Sequence, residues 1–260
     1  MIPKKIHYCW FGPGEIPEKD RKCIESWKKY CPDYEIVRWD ESNYDVKKNA
    51  YMYEAYQAKK WGFVPDFARL DIVYQNGGFY LDTDVELVKS LDELRCNEAY
   101  FGFEEGEFIN PGSGFGAVKG HAGIKALMGI YEERHFVKED GKLELTPSPV
   151  LHRDRLKELG AVMNDQKQTV AGITLYPTEY FSPFRYYTGL LQTTENTISI
   201  HRYNMSWVDE TTKKWTRREQ LLSRKIHHKY ARKIIRIVSL PERAWNRVKK
   251  VLGAGPKANS

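Results

Sequence analysis

A chain of 260 residues, 41% hydrophobic and 29% charged, carries enough apolar material for one large α/β domain and is too balanced to be globally disordered. Its net charge of +6 is unevenly laid out: from Arg217 onward thirteen Lys/Arg stand against Glu219 and Glu242, a local +11, so the first 216 residues carry −5. No run approaches the ~18 apolar residues of a bilayer span, and the apolar stretch from His7 to Phe11 is too short for a secretory signal.

Cys9, Cys23, Cys31 and Cys96 show no CxxC spacing and read as free cytosolic thiols. Aromatic residues reach 13%, with 17 Tyr and 7 Trp. Such rings suit either a Tyr-rich core or surfaces that grip sugars or bases, and composition leaves both open.

In chain order, Lys5 to Phe11 predicts a first strand, broken by Gly12-Pro13-Gly14. A helix follows from Pro17 to Tyr30 with Ile24 and Trp27 on one face, then a strand from Tyr34 to Trp39. Asp45 to Lys60 reads as helical, and Pro65-Asp66 opens a strong helix to Gln75, ended by Asn76-Gly77-Gly78. Phe79-Tyr80-Leu81 is a short strand that runs into Asp82-Thr83-Asp84. Further on, Ala99 to Phe103, Ile173 to Tyr176 and Thr197 to His201 read as strands and His121 to Arg134 as a helix. Strands alternating with helices predict an α/β fold on a largely parallel sheet. The one change in character, near Trp215, divides a domain of residues 1–215 from a basic helical extension of residues 216–260.

Two carboxylates two positions apart at a strand end, Asp82 and Asp84, can both reach one divalent cation, Mg²⁺ or Mn²⁺. Asp-x-Asp alone is common in surface turns; here a helix, a Gly-Gly break and an apolar strand lead to it, which puts it at a carboxyl strand end where open α/β sheets bind ligands. Asp66 and Arg69, three apart, share one face of the preceding helix. They read either as an ordinary helix-start ion pair or as groups facing a sugar and a diphosphate.

Three blocks in order, IPKKIHYCWFG, DFARLDIVYQNGGFYLDTDV and HRYNMSW, resemble glycosyltransferase family 32 over about residues 2–207. These are DXD-containing sugar transferases of bacterial capsule and lipopolysaccharide clusters with eukaryotic mannosyl- and galactosyltransferase relatives; the glucosyltransferase domains of large clostridial toxins are more distantly similar. The resemblance implies a GT-A type fold, a Rossmann-like mixed sheet flanked by helices. It also implies a retaining hexosyltransferase that uses Mn²⁺ or Mg²⁺ and a nucleotide-sugar donor, UDP-galactose first and GDP-mannose second.

By the same resemblance Trp10 stacks on the nucleotide base, the alternative being a core Trp. Asp66 and Arg69 match the pair near the donor sugar. Asp82 matches the first DXD carboxylate, at ribose, sugar or metal, and Asp84 the second, directly on the metal. His201 stands where related enzymes place a late metal ligand, and Ser206 and Trp207 match an element that meets the diphosphate. Glu104 and Glu105 read as a solvated acidic turn or as acceptor-side groups. The loops Asn110 to Phe115 and Thr146 to Pro149 are expected to shape the sugar pocket.

In the tail, Leu222, Ile226, Tyr230, Ile234 and Ile237 form an apolar helical stripe flanked by Arg224, Lys225, Arg232, Lys233 and Arg236. Trp245, Val248 and Leu252 repeat it beside Arg247, Lys249 and Lys250. Such a helix suits an anionic membrane surface, and with it a glycan acceptor linked to a polyprenyl diphosphate at the inner face of the cell membrane. The other reading docks the helix on its own domain. Nucleic-acid binding lacks any zinc, homeodomain or RNA-binding signature. A metal-dependent nucleotidyl- or phosphoryl-transfer enzyme would also use paired aspartates, but no Gly-rich phosphate loop is present.

Overall fold

A computed structural model describes residues 1–204, 210–242 and 244. In chain order they form β1 (Lys5–Cys9), α1 (Glu18–Tyr30), β2 (Glu35–Trp39), α2 (Ala50–Gln57), α3 (Pro65–Asn76), β3 (Gly78–Tyr80) and β4 (Val85–Leu87). There follow β5 (Ala99–Glu104), β6 (Phe108–Ile109), β7 (Phe115–Ala117), α4 (Ala122–Met128), α5 (Ser148–Glu158), β8 (Gln168–Val170), β9 (Ile173–Tyr176) and α6 (Thr178–Phe181). Short strands β10 (Phe184–Arg185), β11 (Leu190–Leu191) and β12 (Ser199–His201) precede α7 (Glu210–Ser223) and α8 (His228–Val238).

The described residues divide into two compact units, residues 1–184 with 192–204, and residues 185–191 with those described from 210 onward. The first is built on a sheet of order β2-β1-β3-β7-β5-β9-β8, with β6 beside β5. The α/β class and the mixed sheet that the resemblance implies both hold, in place of the largely parallel sheet read from the order of elements. β1 runs parallel to β2 and β3, and β5 parallel to β9, while β7 is antiparallel to both β3 and β5. The reason is local: β7 follows β5 through β6 and a loop with no crossover helix, so the chain returns in the opposite direction.

Alternation along the strands sends Tyr80, Phe101 and Phe103 to one buried cluster and Phe79, Leu81 and Tyr100 to a second. The first cluster also takes residues of α2, α3, α4 and α5, and the second takes Ile24 and Trp27 of α1 and Phe181 of α6. Gly77 and Gly78, with φ of +67° and +104°, turn α3 into β3. A Cβ on Gly78 would lie 2.9 Å from the Lys5 carbonyl oxygen, so a bare backbone lets β3 close onto β1.

Two helices are shorter than predicted. The stretch from Asp45 breaks at Asn49, whose side chain caps α2 by accepting from the Met52 N–H. The stretch from His121 ends as α-helix at Gly129. All four cysteines are free.

In the second unit Trp215, Ala231 and Ile235 are buried. Arg232 pairs with Glu219 at 2.9 Å, His228 stacks on Tyr187 with centroids 4.1 Å apart, and Arg224 donates to the Thr188 carbonyl at 2.8 Å. Helix α7 runs through position 215, and the apolar stripe expected on one helix is shared by two, with Ile226 in the turn between them. Trp245, Val248 and Leu252 lie outside the described residues. Among those described, no helix is long and apolar enough to cross a membrane.

Candidate active site

Leu81 extends the β1–β3 ladder by donating its N–H to the His7 carbonyl (3.1 Å), and the chain then leaves the sheet at Asp82. The Asp82 N–H donates to the carbonyl of Gly112 (3.1 Å) and Val85 N–H returns to the Asp82 carbonyl (3.0 Å), so Thr83 and Asp84 occupy a tight turn into β4. Here β4 pairs antiparallel with β12, His201 opposite Val85. That register sets the His201 ring beside Asp84, with Nε2 3.2 Å from Oδ1. One ligand atom from each of Asp82, Asp84 and His201 lies within 4.8 Å of the others. Two carboxylate oxygens and an imidazole nitrogen fit a divalent cation.

Residues 17–101, which hold α1, α3 and this turn, match the family described as the glycosyltransferase sugar-binding region containing a DXD motif. The stretch is similar to a DXD sugar-binding region. Over 101 residues the chain is 38% identical to inositol phosphoceramide mannosyltransferase 3 of Schizosaccharomyces pombe, a match covering 36% of this chain and 27% of that protein. Over 112 residues it is 27% identical to Subversion of eukaryotic traffic protein A of Legionella pneumophila, covering 33% of this chain and 17% of that one. The chain thus spans about a quarter of the first relative's length and about a sixth of the second's. Among solved structures, the PaToxG glycosyltransferase has 18% identity and a TM-score of 0.45 over 60% of this chain and 69% of that one.

Beside the DXD carboxylates a single guanidinium faces two acids. Arg69 is buried on α3, 3.4 Å from Asp66 Oδ1 and 3.5 Å from Asp82 Oδ1, and its guanidinium lies over the Tyr80 ring. Tyr80 donates its hydroxyl to Asp82 Oδ1 at 2.9 Å. Burial raises the Asp82 carboxyl, Arg69 opposes the shift, and the neighbouring Asp84 adds to it, leaving Asp82 above its ordinary value. Burial likewise pushes Asp66 up to about 6, against the pull of Arg69.

Asp84 behaves in the opposite way. Burial would raise it, but His201 and the Asn204 N–H, 2.8 Å from Oδ2, hold it below the usual carboxylate range. The partner shift agrees: burial pulls His201 down, Asp84 outweighs it, and the imidazole stays above its ordinary value. Asn110 orients that ring. Its Oδ1 accepts from the Gly112 N–H (2.8 Å), which turns its Nδ2 toward Glu104 and toward His201 Nδ1 (3.3 Å).

Asn110 and Glu104 in this role escape sequence reasoning, although the loop itself was singled out. Glu104 is drawn against Asn110 rather than left as a solvated turn. Trp10, at the carboxyl end of β1, is half-buried and not a core residue; its indole N–H donates to the Gly14 carbonyl at 3.0 Å. Ser148, in the second loop expected to shape the pocket, hydrogen-bonds Asp66. Ser206 and Trp207 lie outside the described residues.

Proposed function

We propose that this chain is a cation-dependent, retaining glycosyltransferase that moves a hexose from a nucleotide-sugar, UDP-galactose in the first instance, to a glycan acceptor. What carries the reading is the convergence of Asp82, Asp84 and His201 within 4.8 Å at a stretch similar to a DXD sugar-binding region, beside the buried Asp66–Arg69 pair. A divalent cation held there would neutralise charge on the departing diphosphate, the main electrostatic task in breaking a sugar–phosphate bond.

The protein's own groups supply the rest. Arg69, fixed by Asp66 and Asp82, offers a positive charge that needs no reorganisation when negative charge develops nearby. Asp66, still mostly ionised at neutral pH, is suited to accept hydrogen bonds from sugar hydroxyls. Trp10 offers a ring face for the base, and Ser206 and Trp207 are assigned to the diphosphate. Retention follows if the acceptor hydroxyl approaches the face that the diphosphate leaves and gives its proton to a phosphate oxygen.

A mannosyl donor, GDP-mannose, is the second reading, favoured by the mannosyltransferase that is 38% identical over 101 residues. The acceptor is assigned as lipid-linked, with the enzyme at the inner face of the cell membrane. In support, Tyr230, Ile234, Ile237 and Val238 expose an apolar face of α8 beside Lys229, Lys233 and Arg236.

Titration of UDP, GDP and their hexose conjugates, with and without Mn²⁺, tests the whole reading. Binding of one nucleotide that strengthens on adding Mn²⁺, with slow release of its sugar, is the expected result. Equal binding with and without the ion overturns the cation site. Preference for GDP-mannose selects the second donor.

A further inference from the structure

One buried carboxylate has no part in the site as described so far. Asp20, in the first turn of α1, is 1% exposed. Its Oδ2 accepts from the hydroxyl of Thr83, the middle residue of the DXD triplet, at 2.9 Å. Its Oδ1 accepts from Asn204 Nδ2 at 2.8 Å. Asn204 in turn donates its backbone N–H to Asp84 Oδ2. Among the described residues no Lys, Arg or His pairs with Asp20. A carboxylate buried beside two others, held by neutral donors alone, is an expensive arrangement for a fold that needs only packing at this point.

The rest of α1 braces the same segment. Trp27 Nε1 donates to the Val85 carbonyl at 2.7 Å, and the Leu87 N–H donates to Ser26 Oγ at 2.8 Å. Since among the described residues β4 pairs only with β12, side chains of α1 supply the hydrogen bonds that a neighbouring strand would otherwise give. On the far side, Tyr203 takes a φ of +47°, uncommon for a bulky residue, and its ring lies 4.0 Å from that of His201. That turn lets one short segment send His201 and the Asn204 N–H to Asp84 and the Asn204 amide to Asp20.

We infer that Asp20 is a positioning residue for the cation site: it ties Thr83 to Asn204, fixes the orientation of the Asp84 carboxylate between them, and adds a third negative charge behind the ligands. The assignment rests on the cation-site reading above and extends it to a residue that touches neither ion nor donor.

The test is Mn²⁺ affinity of the full chain, read by calorimetry or by loss of the free-ion EPR signal, alongside thermal unfolding. Asp20→Asn keeps the shape but turns one amide donor onto another at Asn204, and is expected to weaken Mn²⁺ binding about tenfold or more, as losses of groups that orient ligands do. Asn204→Asp in that background restores one donor facing one acceptor with the direction reversed, and should return affinity to within about threefold of wild type. Thr83→Val, which removes only the hydroxyl, carries the test if Asp20→Asn does not fold, and should weaken binding in the same sense. Unchanged affinity in both single variants, a fall in melting temperature alone, or a double variant no better than Asp20→Asn overturns the assignment while leaving the cation site standing. A wild-type chain that does not bind Mn²⁺ overturns both.

Discussion

Gly112 and Asp82 leave no room between them. A Cβ built on Gly112 would sit 2.2 Å from Asp82 Oδ2 and 3.1 Å from Arg69 Nη1, while the Gly112 carbonyl accepts the Asp82 N–H. The φ of Gly112 is not positive, so alanine is tolerated by the backbone and the conflict falls on the carboxylate. Gly112→Ala should therefore swing Asp82 out of place, with overpacking costing about 1–3 kcal/mol and Mn²⁺-dependent donor binding falling at least about tenfold. Calorimetry with nucleotide and Mn²⁺ checks this; wild-type affinity in the variant contradicts it.

His152 gives stability a definite pH dependence. It is fully buried on α5, its Nδ1–H donates to the Ser148 carbonyl at 2.8 Å, and Nε2 has no hydrogen-bond partner among the described residues. Burial is the main cause of a pKa lowered to about 4. The unfolded chain takes up this proton near pH 6.5 and the folded chain only near 4, so the contribution is present above 6.5 and lost as pH falls through that window. Between pH 7 and pH 5 it amounts to about 2 kcal/mol. Urea unfolding at the two pH values should show a shallower fall in His152→Phe than in wild type; parallel falls would count against the neutral, buried imidazole.

Trp10 is expected to act through its ring face alone. Because its N–H is already given to Gly14, the indole is held in one orientation. Trp10→Phe should keep most of the nucleotide affinity, and Trp10→Ala should lose about 1–3 kcal/mol, the range found for base stacking on aromatic side chains. Fluorescence titration with UDP and GDP separates the two variants. Equal losses would point instead to a packing role.

The exposed face of α8 makes a prediction independent of catalysis. Ile237 is 68% exposed and Tyr230 63%, with Lys233 and Arg236 beside them. Reversing charge at Lys229, Lys233 and Arg236 together should abolish sedimentation with vesicles rich in anionic lipid, each cation contributing about 1 kcal/mol near such a surface. Donor hydrolysis in solution should stay at the wild-type rate. Sedimentation that is unaffected would return α8 to a purely structural part.

Much of the site's first half is legible in the sequence because it is local. Pro65, the Gly77-Gly78 break and the apolar Phe79-Tyr80-Leu81 run mark helix, turn and strand, and so locate Asp82 and Asp84 at a strand end. The second half is set by tertiary contacts. Strands β4 and β12 have three residues each, too few for any period, yet their register is what seats His201 against Asp84. Asn110 looks like any loop residue until its amide is seen between Gly112, Glu104 and His201. A signal for Asp20 was present: it stands four before Ile24 and seven before Trp27, on the inward stripe of α1, where a carboxylate needs a reason. Its place in the first turn, where acidic residues favour the helix dipole, hid that signal.

Pairing β4 with β12 also fixes when the site can exist. Asp82 and Asp84 emerge from one turn early in the chain, and His201 arrives only after β5, β9 and α6 have been made. A fragment that stops before Ser199 has the aspartates without the imidazole, the Tyr203 turn or the Asn204 amide. On the proposed reading, the complete set of cation-holding groups thus comes together only near the end of the first unit's synthesis.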